Sequence, residues 1–466
     1  MDPKGACNRA AKNLQKCLIE EGNRLAESGM FEQALTVLFR AYSLMPGVSP
    51  VLHDISAVYE AFGDNDSAMA CRRSVIPETA EERYFNSKAT ATRIIAARKA
   101  SNCRHIKTHK PVKQKLRAPK SNGNPIDRPE FRAKETESRG SFVSDLEDGR
   151  VWFDGFNTVI ADRRGNFLKE HIKGNVHLVA DVARQRPEQY MEATVCFIDA
   201  RSSPIYYHWM IDVLPKLAII QAAGIDLKSI DCFVVRCHSQ FQKFTLNHLE
   251  VPAQKISAPS TDCFIRCKRL IVPFLKHDRG DRFYNGLGLG MAPWVPGWLS
   301  SCFVDSIASN HKKIYISRAN RGTRSPVEEQ TLIDALKLRG FESVSLETMT
   351  VVEQANLLAG AEIVVAPHGA GLSNIAFCQP ETTIVEIFGN YVVPCYWALS
   401  ELANLDYHAY FVNDKNGAAE PRSSTAAQTL SLSERRNQSI DLEIDEFLTY
   451  LDSLTTRESL ALARLA

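Results

Sequence analysis

The stretch EIVVAPHGAGLSNIAF, residues 362–377, decides the reading of the fold. The apolar run from Ile363 to Ala366 has the length of a strand buried on both faces, and such strands belong to parallel sheets covered by helices. His368, Gly369, Ala370 and Gly371 then turn the chain into a helix expected to open near Leu372. At the carboxyl edge of a parallel sheet, glycines let the backbone approach a diphosphate, while the helix start offers free N–H groups and a positive dipole. His368 adds a hydrogen bond or a positive charge, and Asn374 stands within the same run as a further candidate contact.

Outward from this loop the pattern is regular. Strand Lys313–Ser317, helix Pro326–Leu338, strand Ser343–Leu346 and helix Val351–Leu358 precede it, and strand Thr383–Phe388 follows. That alternation predicts βαβ units. Arg318 ends the first strand, with Arg321 and Arg324 in the loop beyond; guanidinium forks suit phosphate, and Arg318 is the expected contact. Ser325-Pro326-Val327-Glu328 has the form of a capping box for the next helix. Glu386 sits in the apolar run TTIVEIF, where a carboxylate is costly unless partnered. A ribose hydroxyl pair is one partner, a salt bridge to a neighbouring arginine the other.

A second α/β segment lies upstream. Strands are expected at Thr194–Ile198, Cys232–Val235 and Leu270–Val272, with helical runs at Ile205–Ala223 and Phe241–Leu249. A Gly- and Pro-rich stretch from Gly280 to Gly297 separates it from the half that holds the His368 loop. Within the helical run, His208 and Asp212 are four apart and share a face, although Pro215 unsettles one continuous helix. A carboxylate and an imidazole so placed can take the proton of a substrate hydroxyl; Asp212 serves as the base directly, or it orients His208. The bland alternative packs Tyr207, His208 and Trp209 in the core.

The amino-terminal part reads differently. Gly22, Leu25, Gly29, Ala34, Leu38 and Ala41, followed 34 residues on by Tyr59, Gly63, Ala68 and Val75 over Leu25, Gly29, Ala34 and Ala41, resemble tetratricopeptide repeats. Between Arg98 and Lys120 nine basic residues occur without one acid, and prolines at 111, 119, 125 and 129 interrupt any helix. A solvated linker is expected there, with contact to anionic lipid head groups or nucleic acid as its functional reading.

Composition sets the outer limits. The formal charge of +2 gives no whole-molecule field for nucleic acid. The start MDPKGACNRAAKNLQKC lacks a signal peptide's apolar core, so a cytoplasmic protein is expected, peripheral to the membrane if the basic segment binds lipid. The cysteines are scattered, and Cys232, Cys237, Cys263 and Cys267 with His238 lack paired metal-knuckle spacing. Asp64-Asn65-Asp66, the one Asp-x-Asp triplet, falls in a turn between repeat helices, so no metal is expected.

YISR at Tyr315–Arg318, VVAPHGAGLSNIAF at Val364–Phe377, VEIF at Val385–Phe388 and YYHWMIDVLPKL at Tyr206–Leu217 together resemble glycosyltransferase family 61. That family includes bacterial capsular-polysaccharide enzymes, plant xylan arabinosyl- and xylosyltransferases, and animal N-acetylglucosaminyltransferases acting on proteins. The resemblance spans roughly Phe153 to Phe411 and departs at Glu381, where members often carry glycine. It implies a GT-B pair of Rossmann-like α/β domains, here behind an all-α repeat module. The expected division is 1–85 repeats, 86–140 basic linker, 141–304 acceptor-side domain, 305–415 nucleotide-sugar-binding domain and 416–466 loop and helix.

The function expected is a glycosyltransferase, a hexosyl- or pentosyltransferase acting with inversion, as in polysaccharide biosynthesis. Donor contacts are Arg318, His368, Gly369, Ala370, Gly371, Asn374 and Glu386, and the catalytic pair is His208 and Asp212. The nucleotide-diphosphate sugar is a co-substrate, and no cofactor is required. The acceptor is a glycan, lipid-linked glycan or protein hydroxyl, and the repeats recruit a protein partner. The rival is a nucleotide-sugar sensor or partner-binding scaffold without turnover. An oxidoreductase is disfavoured because no GxGxxG follows an early strand.

Overall fold

The computed structural model describes residues 3–44, 49–73, 77, 93–100, 102–122, 131–132, 134–138, 140–153, 158–173, 189–200, 202–258, 263–275, 290–306, 311–319, 322–412 and 436–465. Its contacts form two compact units. One comprises Met1–Arg104, Leu146–Ala193 and Pro259–Leu270; the other comprises His105–Asp145, Thr194–Ala258 and Ile271–Ala466.

In the first unit, helices α1 (Pro3–Glu27), α2 (Phe31–Leu44), α3 (Ser49–Ala61) and α4 (Asn65–Arg72) surround Leu35, Leu38, Phe39, Val51, Ile55 and Tyr59. A Cβ on Gly22 would lie 2.5 Å from Leu38 Cγ, so glycine is what lets α1 and α2 come together. Gly29 and Gly63 take φ of 74° and 87° at the turns after α1 and α3, the left-handed conformation that favours glycine. The two glycines aligned by sequence therefore occupy equivalent turns. Asp64 accepts from Ser67 N at 3.0 Å and caps α4, which gives the Asp-x-Asp triplet a structural task. Val75 lies outside the described residues.

The second unit holds β1 (Cys103–His109), β2 (Val112–Leu116), β3 (Lys120–Ser121), β4 (Lys134–Ser138), β5 (Gln189–Phe197), β6 (Cys232–Val234), β7 (Ile256–Ser257), β8 (Lys312–Ile316), β9 (Phe341–Val344), β10 (Ala361–Pro367), β11 (Thr383–Phe388) and β12 (Asp406–Phe411), with the first residues of β1 and β5 counted in the other unit. Strands β5, β6 and β7 pair in parallel. A six-stranded sheet runs in the order β9-β8-β10-β11-β12-β3, every pair parallel, as the alternation in sequence predicted. Residues 194–258 and 305–412 share this unit, and one core joins Cys196 and Phe233 to Val364 and Phe388 through Trp209, Phe303, Phe377 and Trp397. The contacts thus do not divide the chain at residue 304. Where a glycine was expected, Glu381 takes φ 72°, keeping a left-handed turn at a cost of about 1–2 kcal/mol.

The described residues of the segment read as a linker, among them 102–122 and 134–138, are folded. β2 and β4 pair antiparallel, setting Lys113 opposite Glu137 and Lys115 opposite Glu135, so the acids that match the basic run come some twenty residues later. β3 extends the six-stranded sheet beside β12, Arg117 pairs with Glu401, and Trp397 donates to Arg117 O. Phe131 is fully buried against Phe388, Trp397 and Phe411. A truncation near residue 140 would strip this sheet edge and this core residue.

Lys120 holds Asp406 at 2.6 Å. Burial alone would raise the Asp406 pKa, but hydrogen bonds from His408 and Lys120 overcome it and lower the value from 3.8 to about 2. A depressed carboxylate stabilises the fold above its unfolded pKa and loses that contribution as pH falls through its folded one. The stability difference between the parent and Asp406→Asn, on the order of 1 kcal/mol after solvent screening, is expected to vanish between about pH 4 and 2. Urea unfolding at stepped pH measures it; a difference unchanged at pH 2 would contradict the pairing. Among the described residues no helix is long and apolar enough to cross a membrane.

Candidate active site

β10 delivers the loop. His368 N donates to Ile387 O at 2.9 Å, extending the ladder one residue past Pro367. Gly369 follows in extended conformation, and a Cβ there would stand 1.9 Å from Arg318 Nη1 and 2.9 Å from its Cζ. Glycine at 369 is what admits the guanidinium beside the backbone. At Gly371 a Cβ would meet Ile316 Cγ2 at 3.3 Å, a tighter fit than most real contacts. The loop passes into a 3₁₀ helix, Ala370–Phe377, two residues before the expected α-helix start, with Leu372 N bonded to Gly369 O. Ala370 and Gly371 are partly exposed at its head, while Asn374 is buried.

The His368 ring lies under the loop at 5% exposure, against Phe388, Tyr391 and Tyr396. Its Nδ1 bonds Glu386 Oε1, and Tyr407 OH donates to Glu386 Oε2. Both carboxylate oxygens are engaged and Glu386 is fully buried. Its partners are therefore a histidine and a tyrosine, in place of the ribose or arginine expected. Burial, with the Glu386 charge second, pushes the Tyr407 hydroxyl well above its ordinary range, so it stays a donor.

Arg318 is held from two sides. Its Nε and Nη2 donate to Thr323 O at 3.1 and 3.0 Å, and its backbone N donates to Glu329 Oε1 at 2.7 Å. Tyr315 OH and Ser317 Oγ donate to the same Glu329 oxygen, and Ser325 Oγ donates to Arg318 O. Ser325 thus secures the arginine loop, and the helix begins only at Glu329 without a side-chain cap; the expected capping box does not form. Arg324 is half-buried over the Tyr391 ring at 5.5 Å, and Arg321 lies outside the described residues.

The His208 segment reaches the loop through tyrosines. Tyr206 OH donates to Asn374 Oδ1 at 2.7 Å, and Asn374 Nδ2 donates to Gln354 Oε1 and Gly371 O. Tyr207 meets Tyr396 edge-on at 5.6 Å, and Tyr396 touches His368. Asn374 therefore works as a buried brace. A π-turn at Trp209–Val213 follows, letting Pro215 begin the next helix, Pro215–Ala222, without breaking the run. Trp209 is buried and donates to Thr245 Oγ1. His208 and Asp212 are not packed away: their side chains keep 22% and 24% exposure, and Nδ1 lies 2.6 Å from Asp212 Oδ2. With Nδ1 as donor, Nε2 is the nitrogen able to take a proton.

Sequence reasoning missed Tyr206, Tyr396 and Tyr407 as partners of the loop, although Tyr206 opens the YYHWMIDVLPKL run. The Tyr206 and Tyr407 hydroxyls and the Tyr396 ring tie the loop to its surroundings. Among the described residues no group of three His, Cys, Asp or Glu side chains is placed to hold a metal.

No curated protein matches the chain. One family model, described as Glycosyltransferase 61, matches residues 206–385, a stretch that runs from Tyr206 through the histidine–glycine loop to the strand of Glu386. That match supports the Glycosyltransferase 61 family, and with it glycosyltransferase activity, a nucleotide-sugar donor and a glycan acceptor in general terms.

Proposed function

We propose that the chain transfers a sugar from a nucleotide-diphosphate donor to a hydroxyl of a glycan, lipid-linked glycan or protein, with inversion. The observation that carries this reading is the His208–Asp212 pair at 2.6 Å, partly exposed and braced to the histidine–glycine loop through Tyr206 and Asn374. His208 Nε2 removes the acceptor proton while Asp212 orients the ring and balances its charge. The leaving diphosphate rests on the backbone of residues 369–371, with Arg318 behind Gly369 and the His368 ring below. No metal is required in this reading, because these groups supply the positive field. The amino-terminal helices recruit a partner or acceptor and take no part in the chemistry.

Uridine diphosphate is expected to bind this unit and raise its melting temperature. At 100 times its dissociation constant the gain is about 2.7 kcal/mol. Thermal unfolding with a series of nucleoside diphosphates measures it, and no shift with any of them would contradict the donor site.

A further inference from the structure

Arg324 is the unusual cation of this region. Its guanidinium is half-buried, its Nε is sealed from solvent, and that Nε has no hydrogen-bond partner among the described residues. Buried arginines are ordinarily paired with carboxylates. The groups that act on it most strongly are Tyr391, a second arginine, Arg436, then Tyr396 and Cys395, with no carboxylate among them. Burial pulls the guanidinium below its ordinary range, an unfavourable position for a group whose neighbours offer no opposite charge. The backbone is held there as well: Arg324 takes φ 56°, a left-handed conformation uncommon outside glycine, secured by its N–H on Gln438 O. The ring beneath it, Tyr391, also touches His368.

Arg318 is differently placed. Its Nε and one Nη are occupied by Thr323 O, and its other Nη lies against Gly369. It builds the loop.

We infer that Arg324 is the counter-ion for an anionic ligand at the His368 loop, and that the ligand's anionic part is the diphosphate of a nucleoside diphosphate. The inference rests on the donor site proposed above and assigns its charge to a different arginine. A guanidinium donating to phosphate makes charge-assisted bonds, and the ligand supplies the partner that the chain does not.

The test is calorimetric titration of the full chain and of Arg324→Met, which keeps an apolar stem over Tyr391, with uridine diphosphate and with inorganic pyrophosphate. The expected result is binding of both by the parent and a loss of about 10- to 100-fold for both in the variant. Its ligand-free melting temperature should be no lower than the parent's, because an unpaired buried charge is removed. Equal affinity in parent and variant would overturn the inference while leaving the donor site standing. Binding of pyrophosphate that depends on Arg324, without tighter binding of uridine diphosphate, would support the inference and count against the nucleotide-sugar reading. A parent that binds neither would overturn both. If Arg324→Met does not fold, Arg324→Gln is compared in the same way.

Discussion

Asp212→Asn is expected to fold, to bind uridine diphosphate nearly as the parent does, and to transfer sugar about 100- to 10,000-fold more slowly, the usual size of a general-base contribution. The carboxylate holds His208 Nδ1 at 2.6 Å and so selects the tautomer whose Nε2 accepts the proton. A carboxamide preserves the shape but removes the charge that balances the imidazolium. His208→Gln should lose a comparable amount, and because the two residues act as one unit the double variant should be little worse than either. A loss confined to His208→Gln would make Asp212 a packing residue. An Asp212→Asn enzyme at the parent rate would remove the pair from the chemistry.

The largest stability effect is expected at Glu386. Its side chain is fully buried between His368 and Tyr407, and Glu386→Ala leaves both partners without their acceptor and opens a cavity among Phe388, Tyr396 and Tyr407. Breaking a buried pair of this kind costs about 3–5 kcal/mol. Urea unfolding should show that loss, and Tyr407→Phe, which removes one donor and keeps the ring, should lose about 1–3 kcal/mol. A Glu386→Ala protein that unfolds with the parent but no longer binds uridine diphosphate would restore the ribose role and contradict the buried pairing.

Much of the second unit was legible in sequence because its strands are long apolar runs bounded by turns. The predicted Thr383–Phe388 strand coincides with β11, and the histidine–glycine loop falls where the run ends. Glu386 was legible as a costly residue, but its partners were not. His368 directly follows the parallel strand on one side of β11 and Tyr407 lies on the strand on its other side, and register between strands is set by packing that no local pattern records. The π-turn at Trp209–Val213 left no mark except Pro215, which could equally have meant a helix end.

The folded strands at residues 103–121 and 134–138 were misread for a definite reason. Their basic run carries no acid of its own, so local composition describes a tether; the matching acids, Glu135 and Glu137, lie in another strand. Likewise the arginine best placed in sequence, Arg318, is engaged by the loop it supports. Arg324, two residues after Gly322, reads as an exposed turn residue until its burial is seen.

Catalysis itself is decided by incubating the full chain and Asp212→Asn with a panel of nucleotide sugars and a mixed set of glycan and peptide acceptors, and following nucleoside diphosphate release. The predicted result is release with at least one donor, coupled to sugar carried onto an acceptor, and slowed about 100- to 10,000-fold in the variant. A folded chain that binds nucleoside diphosphates yet releases none from any donor would contradict the transferase and leave a nucleotide-sugar sensor in its place.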